Sequence, residues 1–390
     1  MRWLHHDRIF YVSCFHEIMA VVALRNVVKT YGDVTALHGL DFETKEGEFF
    51  VLLGPSGAGK TTTLKVIAGL EDIDSGEVVF DGKVVNTVPT NLRPVGMAFE
   101  SYALYPHFTV FENIANPLRA PGKTYTETEI KDRVQKMAKM LKIEHLLTRH
   151  PGELSGGQKQ RVSLGRTMVR EPSVYLLDEP LTHVDAKIRF DLRIQFHRLE
   201  ELQQSTTVYV THDYVEALSL GDRIGIIDQG RIVQIGEPKQ IYYHPRNIFV
   251  AHLVGQPSIN LMNAQLDADD HNAHLHVPQG GFSIPLSPER FHALKQVNAP
   301  RDLIVGIRPR DLMTFTTTPE TATAQVKSDV FEPFGSFGLL SILARDIYLK
   351  LLTDPEQEVE PDIPLGLNFR EDRLIFFDPT TENNLLWSEN

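Results

Sequence analysis

Cysteine is nearly absent from this chain, with Cys14 as the single example among 390 residues. One thiol cannot form an internal disulfide, so a disulfide-stapled fold is excluded and a reducing compartment is favoured. Long apolar runs are missing too, because no stretch approaches the roughly 18–20 residues that a membrane-spanning helix needs. We therefore expect any membrane role to be peripheral and to depend on a partner.

An excess of positive charge is also missing. The formal net charge is −12 and the isoelectric point calculated from the sequence is about 5.7. From residue 246 to the end, 11 Lys and Arg residues stand against 20 Asp and Glu residues. This acidity repels a phosphate backbone, so we do not expect nucleic acid as a partner.

The length and composition suit two globular domains. Hydrophobic residues make up 42% and charged residues 23% of the chain, which is ordinary for a globular protein. In residues 19–245, apolar segments such as 49–53 and 174–177 alternate with helical patterns, which predicts a parallel sheet covered on both faces. In residues 246–390, short strand-like pieces divided by Pro, Gly and Asp predict a small all-β barrel or sandwich.

A helical subdomain is predicted inside the first domain, at about residues 101–160. Apolar side chains recur there at helical spacing, at Ile130, Val134, Met137, Met140 and Leu141. Such a stripe is more typical of a face that packs against the core than of a cofactor site.

The first 18 residues do not fit this organisation. Their apolar stretch, residues 9–15, is short and poorly flanked for a signal peptide, and no small-residue cleavage pattern follows it. We expect Met19 to be the natural start and residues 1–18 to be an upstream extension.

A glycine-rich loop follows the apolar segment at residues 49–53 and matches the pattern G-x-x-x-x-G-K-[ST]. Glycines let backbone N–H groups turn inward around phosphates, and the start of the following helix adds positive potential. Lys60 would reach the β- and γ-phosphates, and the Thr61 hydroxyl would ligate Mg²⁺. The predicted phosphate-binding residues are Gly54, Pro55, Ser56, Gly57, Ala58, Gly59, Lys60, Thr61 and Thr62. Taken alone, this loop would fit a kinase or a GTPase equally well.

Two adjacent carboxylates follow the apolar segment at residues 174–177. A buried strand delivers Asp178 and Glu179 to its carboxyl end, where ligands bind in open α/β sheets. Because side chains alternate along a strand, the two neighbours can do different work. Asp178 suits the Mg²⁺ shell, and Glu179 suits the general base that polarises an attacking water.

A second anion site is predicted after Leu154. Ser155, Gly156, Gly157 and Gln158 would expose backbone donors at the start of a helix. One nucleotide needs only one phosphate cradle, so a second cradle in the same chain indicates a site shared between two subunits. With Lys-Gln-Arg-Val following and the Asp-Glu pair further on, this segment resembles the signature motif of ABC ATPases.

The resemblance implies an α/β P-loop ATPase domain with a parallel sheet and a helical insert, followed by an all-β OB-type regulatory domain. It assigns Tyr31 to stacking on adenine, His212 to the γ-phosphate, and Asp185 to the loop that crosses the dimer interface. In this family two ATPase subunits close head to tail over two ATP molecules, each site pairing one P-loop with the other subunit's Ser-Gly-Gly turn. ATP and Mg²⁺ are the expected cofactors.

Further segments resemble the sugar-importer branch of the family, at residues 101–107, 109–110, 112–114, 236–238, 241–242, 244–245, 249–251 and 305–309. In that branch the first of these regions carries the groove that receives the permease's coupling helix. The resemblance implies two transmembrane permease subunits and an extracytoplasmic solute-binding protein as partners, at the cytoplasmic face of the inner membrane. It favours a sugar, polyol, glycerol or glycerol phosphate, but selectivity resides in those other chains.

Two places depart from the family pattern. Glu100 stands where this branch has glutamine, and we expect it to join Thr61 and Asp178 as a Mg²⁺ ligand, since it keeps the side-chain oxygen. It loses an amide donor and adds a negative charge near Asp178 and Glu179. A like-charge pair about 4 Å apart costs on the order of 4 kcal/mol at an effective dielectric near 20, much of which direct Mg²⁺ ligation would offset. We expect slower hydrolysis or altered coupling. Residues 182–185 read Thr-His-Val-Asp where the family has Ser-Asn-Leu-Asp. Whether the partner ATPase subunit is a second copy of this chain or a paralogue is an open question.

Two other functional classes fit part of the sequence. Non-transport ABC ATPases of translation or DNA repair generally fuse two ATPase modules or carry a long coiled coil, and this sequence has neither. A regulatory protein with a weak catalytic site is kept open by Glu100, whereas Glu179 and His212 argue against it. The main hypothesis is therefore an ATP-hydrolysing subunit of an importer.

Overall fold

The computed structural model describes residues 20–120, 124–170, 172–182, 184–203, 205–268, 273–315 and 322–388. The expected upstream extension, residues 1–18, and His183 of the altered loop lie outside the described residues. The chain forms two compact units that divide between Pro238 and Lys239. No helix in the described part is both long and apolar enough to cross a membrane.

The division precedes the boundary expected at residue 245, because the helix at Pro238–Tyr243 is tied to the second unit. The Arg308 guanidinium lies 4.1 Å from the ring centroid of Tyr242 and donates to the Tyr242 carbonyl at 2.8 Å. Arg373 lies 4.7 Å from the ring of Tyr243. These contacts place the helix with the β-rich half of the chain.

The first unit alternates strands and helices. Its elements are β1 (Val22–Tyr31), β2 (Val34–Glu43), β3 (Phe49–Leu53), α1 (Lys60–Ala68), β4 (Ser75–Phe80), β5 (Lys83–Val84), β6 (Val95–Ala98), α2 (Val110–Ala115), α3 (Glu127–Met140), α4 (Gly156–Met168), β7 (Val174–Asp178), α5 (Ala186–Gln203), β8 (Thr206–Thr211), α6 (Tyr214–Leu220), β9 (Arg223–Asp228) and β10 (Arg231–Gly236).

A six-stranded sheet of order β10-β9-β3-β8-β7-β6 forms the centre of this unit. β3 pairs in parallel with β8 and β9, and β7 pairs in parallel with β8 and β6. Every residue of β3, β7 and β8 is buried, as central strands covered on both faces require. This confirms the predicted α/β fold. The carboxyl ends of these strands meet at one edge, where open α/β sheets bind ligands.

The predicted helical subdomain contains α3, which begins at a capping box. The Thr126 hydroxyl accepts from the Glu129 amide, and the Glu129 carboxylate accepts from the Thr126 amide in return. Ile130, Val134 and Met137 are buried along one face of the helix, so the apolar stripe faces the core. A separate four-stranded antiparallel sheet, β2-β1-β4-β5, completes the first unit.

The second unit is rich in antiparallel strands. Its elements are α7 (Pro238–Tyr243), α8 (Ile248–Leu253), β11 (Asn260–Ala268), β12 (Ala273–Val277), β13 (Phe282–Leu286), α9 (Pro288–Gln296), β14 (Asp302–Ile307), β15 (Leu312–Phe315), β16 (Ala324–Pro333), β17 (Gly338–Ala344), β18 (Ile347–Thr353), β19 (Pro364–Phe369) and β20 (Ile375–Phe377).

Two five-stranded sheets, β13-β12-β11-β14-β20 and β15-β19-β16-β17-β18, share one core in this unit. Leu275 and Val305 from the first sheet belong to the same buried cluster as Leu340 and Leu367 from the second. The β-rich character predicted for residues 246–390 is confirmed, and the helices α8 and α9 are additions that the sequence-based prediction lacked.

Candidate active site

The glycine-rich loop connects β3 to α1, and its backbone requires glycine at three positions. Gly57 and Gly59 adopt φ values of 81° and 103°, which favour a residue without a side chain. At Gly54 a Cβ would lie only 2.2 Å from the carbonyl oxygen of Ile227. The backbone of the loop therefore has a fixed, curved conformation that ends at Lys60, the first residue of α1.

Lys60 lies inside this curve. Its Nζ donates to the carbonyls of Gly54 at 2.9 Å and Pro55 at 3.0 Å, and it lies 3.7 Å from Oε1 of Glu179. Burial lowers the pKa of Lys60, while the carboxylates of Glu179 and Asp178 oppose that shift. An ammonium group is thus held at the amino end of a helix, the arrangement that binds phosphate.

Asp178 ends β7 and is only 3% exposed. Its Oδ1 accepts a hydrogen bond of 3.1 Å from the Thr61 hydroxyl. Burial raises the pKa of Asp178 to about 6; the Thr61 bond opposes this shift, and the charges of Glu100 and Glu179 reinforce it. A carboxylate beside a hydroxyl supplies the hard oxygen ligands that Mg²⁺ prefers.

These two side chains cannot enclose a metal ion by themselves. Within the described ranges, no three His, Cys, Asp or Glu side chains cluster as metal ligands. A Mg²⁺ at this edge would need further oxygens from a bound phosphate or water, as Mg²⁺ sites in nucleotide enzymes generally do. The donor set fits that kind of site.

Glu179 has an unusual backbone conformation for a residue with a side chain. Its φ is 45°, in the left-handed region, which costs on the order of 1–3 kcal/mol unless the surroundings hold it. Its N–H donates to the Val210 carbonyl at 3.0 Å, and its carbonyl accepts from Nε2 of Gln160 at 2.9 Å. The chain therefore turns sharply after Asp178, so the two carboxylates separate.

Three side chains surround the Glu179 carboxylate. Its Oε2 lies 2.8 Å from Nδ1 of His212 and accepts from the Thr182 hydroxyl at 3.2 Å, while its Oε1 faces Lys60. His212 follows β8, and its side chain is 50% exposed. A carboxylate held beside an imidazole and an ammonium can orient and deprotonate a water next to a bound phosphate.

Thr182 and Gln160 were missing from the sequence-based site. Thr182 stood out only as a departure from the family pattern, and its position in the turn directly after Glu179 could have assigned it to the site. Gln160 sits in α4, and nothing in its local pattern points to a backbone carbonyl on another element.

The Ser-Gly-Gly turn opens α4. Ser155 and Gln158 form a capping box, in which the Ser155 amide donates to Oε1 of Gln158 at 2.9 Å. Ser155 and Gly156 are exposed, and the first N–H groups of a helix have no partner within it. Across the described residues, no hydrogen bond or ion pair joins this turn to the glycine-rich loop. The structure therefore does not bring the two predicted cradles together within one chain.

Two further residues predicted for the site, Asp185 and Tyr31, have exposed side chains. Asp185 is exposed just before α5, and its Oδ1 accepts from the Ile188 amide at 3.0 Å. Tyr31 ends β1 with 41% exposure, and its ring centroid lies 4.9 Å from Nζ of Lys29. Desolvation raises the pKa of Tyr31, and a hydrogen bond with Thr62 opposes this. A partly exposed aromatic ring thus stands beside the start of α1.

Glu100 is exposed two residues beyond the end of β6. Within the part of the chain that the structure describes, no hydrogen bond or ion pair involves its carboxylate, yet its charge helps to raise the pKa of Asp178. It is therefore near enough to the cluster to act on it electrostatically.

A groove of about 440 Å³ lies in the helical part of this unit. It is lined by Gly96, Met97, Tyr105, Asn116, Pro117, Arg119, Ala120, Arg166, Thr167 and Arg170. Tyr105 belongs to the segment that resembles the permease-docking region.

Comparison with known proteins identifies the family. Residues 37–182 match the model for ABC transporters, and residues 255–312 match that of the MalK OB fold domain. The chain is 40% identical to the sulfoquinovosyl glycerol transport ATP-binding protein SmoE of Agrobacterium fabrum, over 94% of this chain and 100% of that protein. It is 39% identical to the trehalose/maltose import ATP-binding protein MalK of Thermococcus litoralis, over 93% of this chain and 99% of that one.

A solved structure resembles the first unit. A dimeric ATP-binding cassette in a post-hydrolysis state, bound to ADP and Pi, covers 56% of this chain and 98% of its own, with a TM-score of 0.52 and 33% identity. The relatives match the chain over nearly its whole length, and the loop, the paired carboxylates and the Ser-Gly-Gly turn occur in one chain. This protein is therefore an ATP-hydrolysing subunit of the ABC transporter family.

Proposed function

We propose that this chain energises the import of a carbohydrate-like solute by binding and hydrolysing ATP between two ATPase subunits. The observation that carries the proposal is the pairing of a formed cluster, Lys60, Glu179 and His212, with an exposed Ser-Gly-Gly turn that the same chain leaves unused. A nucleotide on one subunit would be covered by the turn of the other. The second subunit is another copy of this chain or a paralogous ATPase.

Each side chain of the cluster has a distinct task in this proposal. Lys60 binds the β- and γ-phosphates, and Thr61 and Asp178 hold Mg²⁺. When bound, Mg²⁺ supplies positive charge against the phosphate oxygens. Glu179 accepts the proton of the attacking water. His212 contacts the γ-phosphate and orients the Glu179 carboxylate towards it.

The groove and the names of the relatives support a membrane permease as the partner of this chain. The groove at Tyr105 and Arg166 would receive an element of one of two permease subunits, with the chain peripheral at the cytoplasmic face of the membrane. An extracytoplasmic solute-binding protein would deliver the solute. Relatives of nearly full length include ATP-binding proteins for trehalose/maltose, sulfoquinovosyl glycerol and sn-glycerol-3-phosphate, which supports a sugar, polyol, glycerol or glycerol phosphate.

Uptake in a strain that lacks this gene tests the proposal. We expect uptake of one labelled sugar, polyol or glycerol phosphate to be lost, and to return with the wild-type chain but not with Glu179→Gln. Unchanged uptake of every such solute, or full rescue by Glu179→Gln, would contradict the proposal.

Tyr31→Ala is expected to raise the KM for ATP while leaving kcat within twofold. Stacking of a base on an aromatic ring contributes about 1–3 kcal/mol, which corresponds to roughly 5–150-fold in affinity. Tyr31→Phe should behave like wild type, because it keeps the ring. Tyr348→Ala on β18, with 64% exposure in the native chain, is the matched control. An unchanged KM in Tyr31→Ala would remove Tyr31 from the site.

Glu100→Gln is expected to increase kcat, because it removes a negative charge near Asp178 and restores an amide donor. The exposure of Glu100 weakens the electrostatic effect, so we expect about tenfold, equivalent to about 1.4 kcal/mol in the barrier. Steady-state phosphate release at saturating ATP measures it. Glu77→Gln, which neutralises a half-exposed carboxylate on β4 that pairs with Arg25, should leave kcat unchanged. A kcat for Glu100→Gln at or below wild type would contradict the expectation.

A further inference from the structure

A small cavity lies inside the second unit, with a volume of about 60 Å³. Its walls come from α7, α9, the turn between β14 and β15, and β20 with the segment before it. All of its lining residues belong to the second unit, and none belongs to the catalytic cluster. The volume exceeds the roughly 10–15 Å³ that one water needs and is far below the about 300–1,000 Å³ of pockets for drug-sized ligands. The cavity therefore suits a ligand of a few non-hydrogen atoms.

Asp311 provides a buried acceptor in this cavity. Its side chain is only 3% exposed, and its Oδ1 lies 3.6 Å from Nη1 of Arg370. Within the described residues, its buried Oδ2 has no hydrogen-bond partner. Burial raises the pKa of Asp311, and the positive charges of Arg370 and two other arginines oppose that shift. Because a buried carboxylate oxygen without a donor costs free energy, a ligand that brings an O–H group is favoured beside Asp311.

Arg290 on α9 provides a donor in the same cavity. Its guanidinium lies 4.7 Å from the ring centroid of Phe376, and its Nη2 donates to the Leu374 carbonyl. In the part of the chain that the structure describes, its buried Nε has no hydrogen-bond partner. These contacts hold the guanidinium in place while one N–H keeps its capacity to donate to a ligand.

The charge of the cavity favours an anion. Its charged lining consists of three arginines and two aspartates: Arg290, Arg308, Arg373, Asp311 and Asp372. Arg373 pairs with Asp372, since its Nε lies 3.2 Å from Oδ2 of that residue. The positive excess contrasts with residues 246–390 as a whole, where 11 Lys and Arg residues stand against 20 Asp and Glu residues. The planar, permanently charged guanidinium matches the geometry of phosphate oxygens, so a phosphate group suits this lining.

We propose that this cavity binds a small phosphate compound that also carries an O–H group. Phosphate oxygens accept from Nε of Arg290, and the O–H donates to Oδ2 of Asp311. Hydrogen phosphate combines both functions in one tetrahedral group, and a small polyol phosphate combines them in neighbouring groups. Sulfate has a similar shape and charge but no O–H at neutral pH, so it would leave Asp311 without a donor. The inference does not depend on the proposed function, because the cavity shares no residue with the ATP site.

Calorimetric titration of the full chain at neutral pH tests this site with inorganic phosphate, sn-glycerol-3-phosphate and sulfate. Every sample carries Lys60→Ala, which weakens phosphate binding at the glycine-rich loop. We expect one of the two phosphate compounds to bind at least tenfold more tightly than sulfate. Tighter binding of inorganic phosphate would identify free phosphate as the ligand, and tighter binding of sn-glycerol-3-phosphate would identify a phosphorylated polyol. Binding of neither would overturn the proposal and assign the cavity to water alone.

Two further substitutions assign the binding to the cavity. Arg290→Gln should weaken phosphate binding about tenfold or more, because a hydrogen bond from a charged donor is lost. Asp311→Asn should reduce the preference for phosphate over sulfate to within twofold, because an amide can donate to sulfate as well as accept. Arg301→Gln, at an exposed arginine of the same unit, is the control and should change neither, and thermal melts exclude unfolding. Unchanged phosphate affinity in Arg290→Gln, or an unchanged preference in Asp311→Asn, would contradict the site.

Discussion

Replacing Glu179 with glutamine should nearly abolish ATP turnover while ATP binding persists. Gln keeps the size of the side chain and an oxygen that can accept from Thr182, but it cannot take a proton from water. General bases contribute about 10²–10⁴-fold to catalysis, and we expect a loss in that range. Phosphate release at saturating ATP measures turnover, and calorimetric titration with ATP measures binding.

The surroundings of Glu179 make this test specific. His212 and Lys60 would still face the amide, so the geometry at 2.8 Å and 3.7 Å is largely retained. Glu77→Gln, which neutralises a half-exposed carboxylate on β4, should leave turnover within twofold. If Glu179→Gln turned over ATP within tenfold of wild type, Glu179 would not be the base, and another group near the phosphate would have to be sought.

Lys60→Ala should remove ATP binding as well as turnover. Hydrogen bonds to charged groups contribute about 1.5–3 kcal/mol each, and Lys60 would make such bonds to two phosphates, so we expect affinity to fall by about 100-fold or more. Calorimetric titration with ATP measures this directly. The expectation follows from the buried position of Lys60 inside the glycine-rich loop.

A lysine one turn further along α1 serves as the control for that variant. Lys65→Ala removes the same charge from the same helix, away from the loop, and should bind ATP as wild type does. Thermal melts of both variants exclude unfolding as the cause. Unchanged affinity in Lys60→Ala would contradict the assignment of this loop as the phosphate site.

The elements with strong local patterns could be predicted from the sequence. The apolar run of β3 is followed by glycines and Lys60, and the apolar run of β7 by two carboxylates. Strand, loop and site residues could therefore be predicted together. Parallel strands then bring Thr61, Asp178 and His212 to one edge of the sheet. This physical regularity explains why most of the candidate site was identifiable before its geometry was known.

Features that depend on long-range contacts could not be predicted. The pairing of β14 with β20 joins segments far apart in the sequence, and strand partners are chosen by packing rather than by local propensity. The left-handed backbone of Glu179 depends on Val210 and Gln160. The helix α9, by contrast, could have been predicted from the sequence. Ser287 as its cap and Pro288 at its first position are a recognisable start signal.

The separation of the two phosphate cradles is the feature on which the account depends most. Ser155 and Gly156 are exposed, and the same chain's Lys60 and Glu179 form their cluster without them. A site completed by a second subunit makes turnover depend on encounter between chains. Turnover at a site that is complete within one chain would not depend on such an encounter.

ATP turnover per chain, measured from dilute to concentrated protein with Glu179→Gln as the blank, tests this most directly. We predict that turnover per chain rises with concentration and then reaches a plateau as pairs form. Turnover per chain that lies above the blank and stays the same at every concentration would contradict the account.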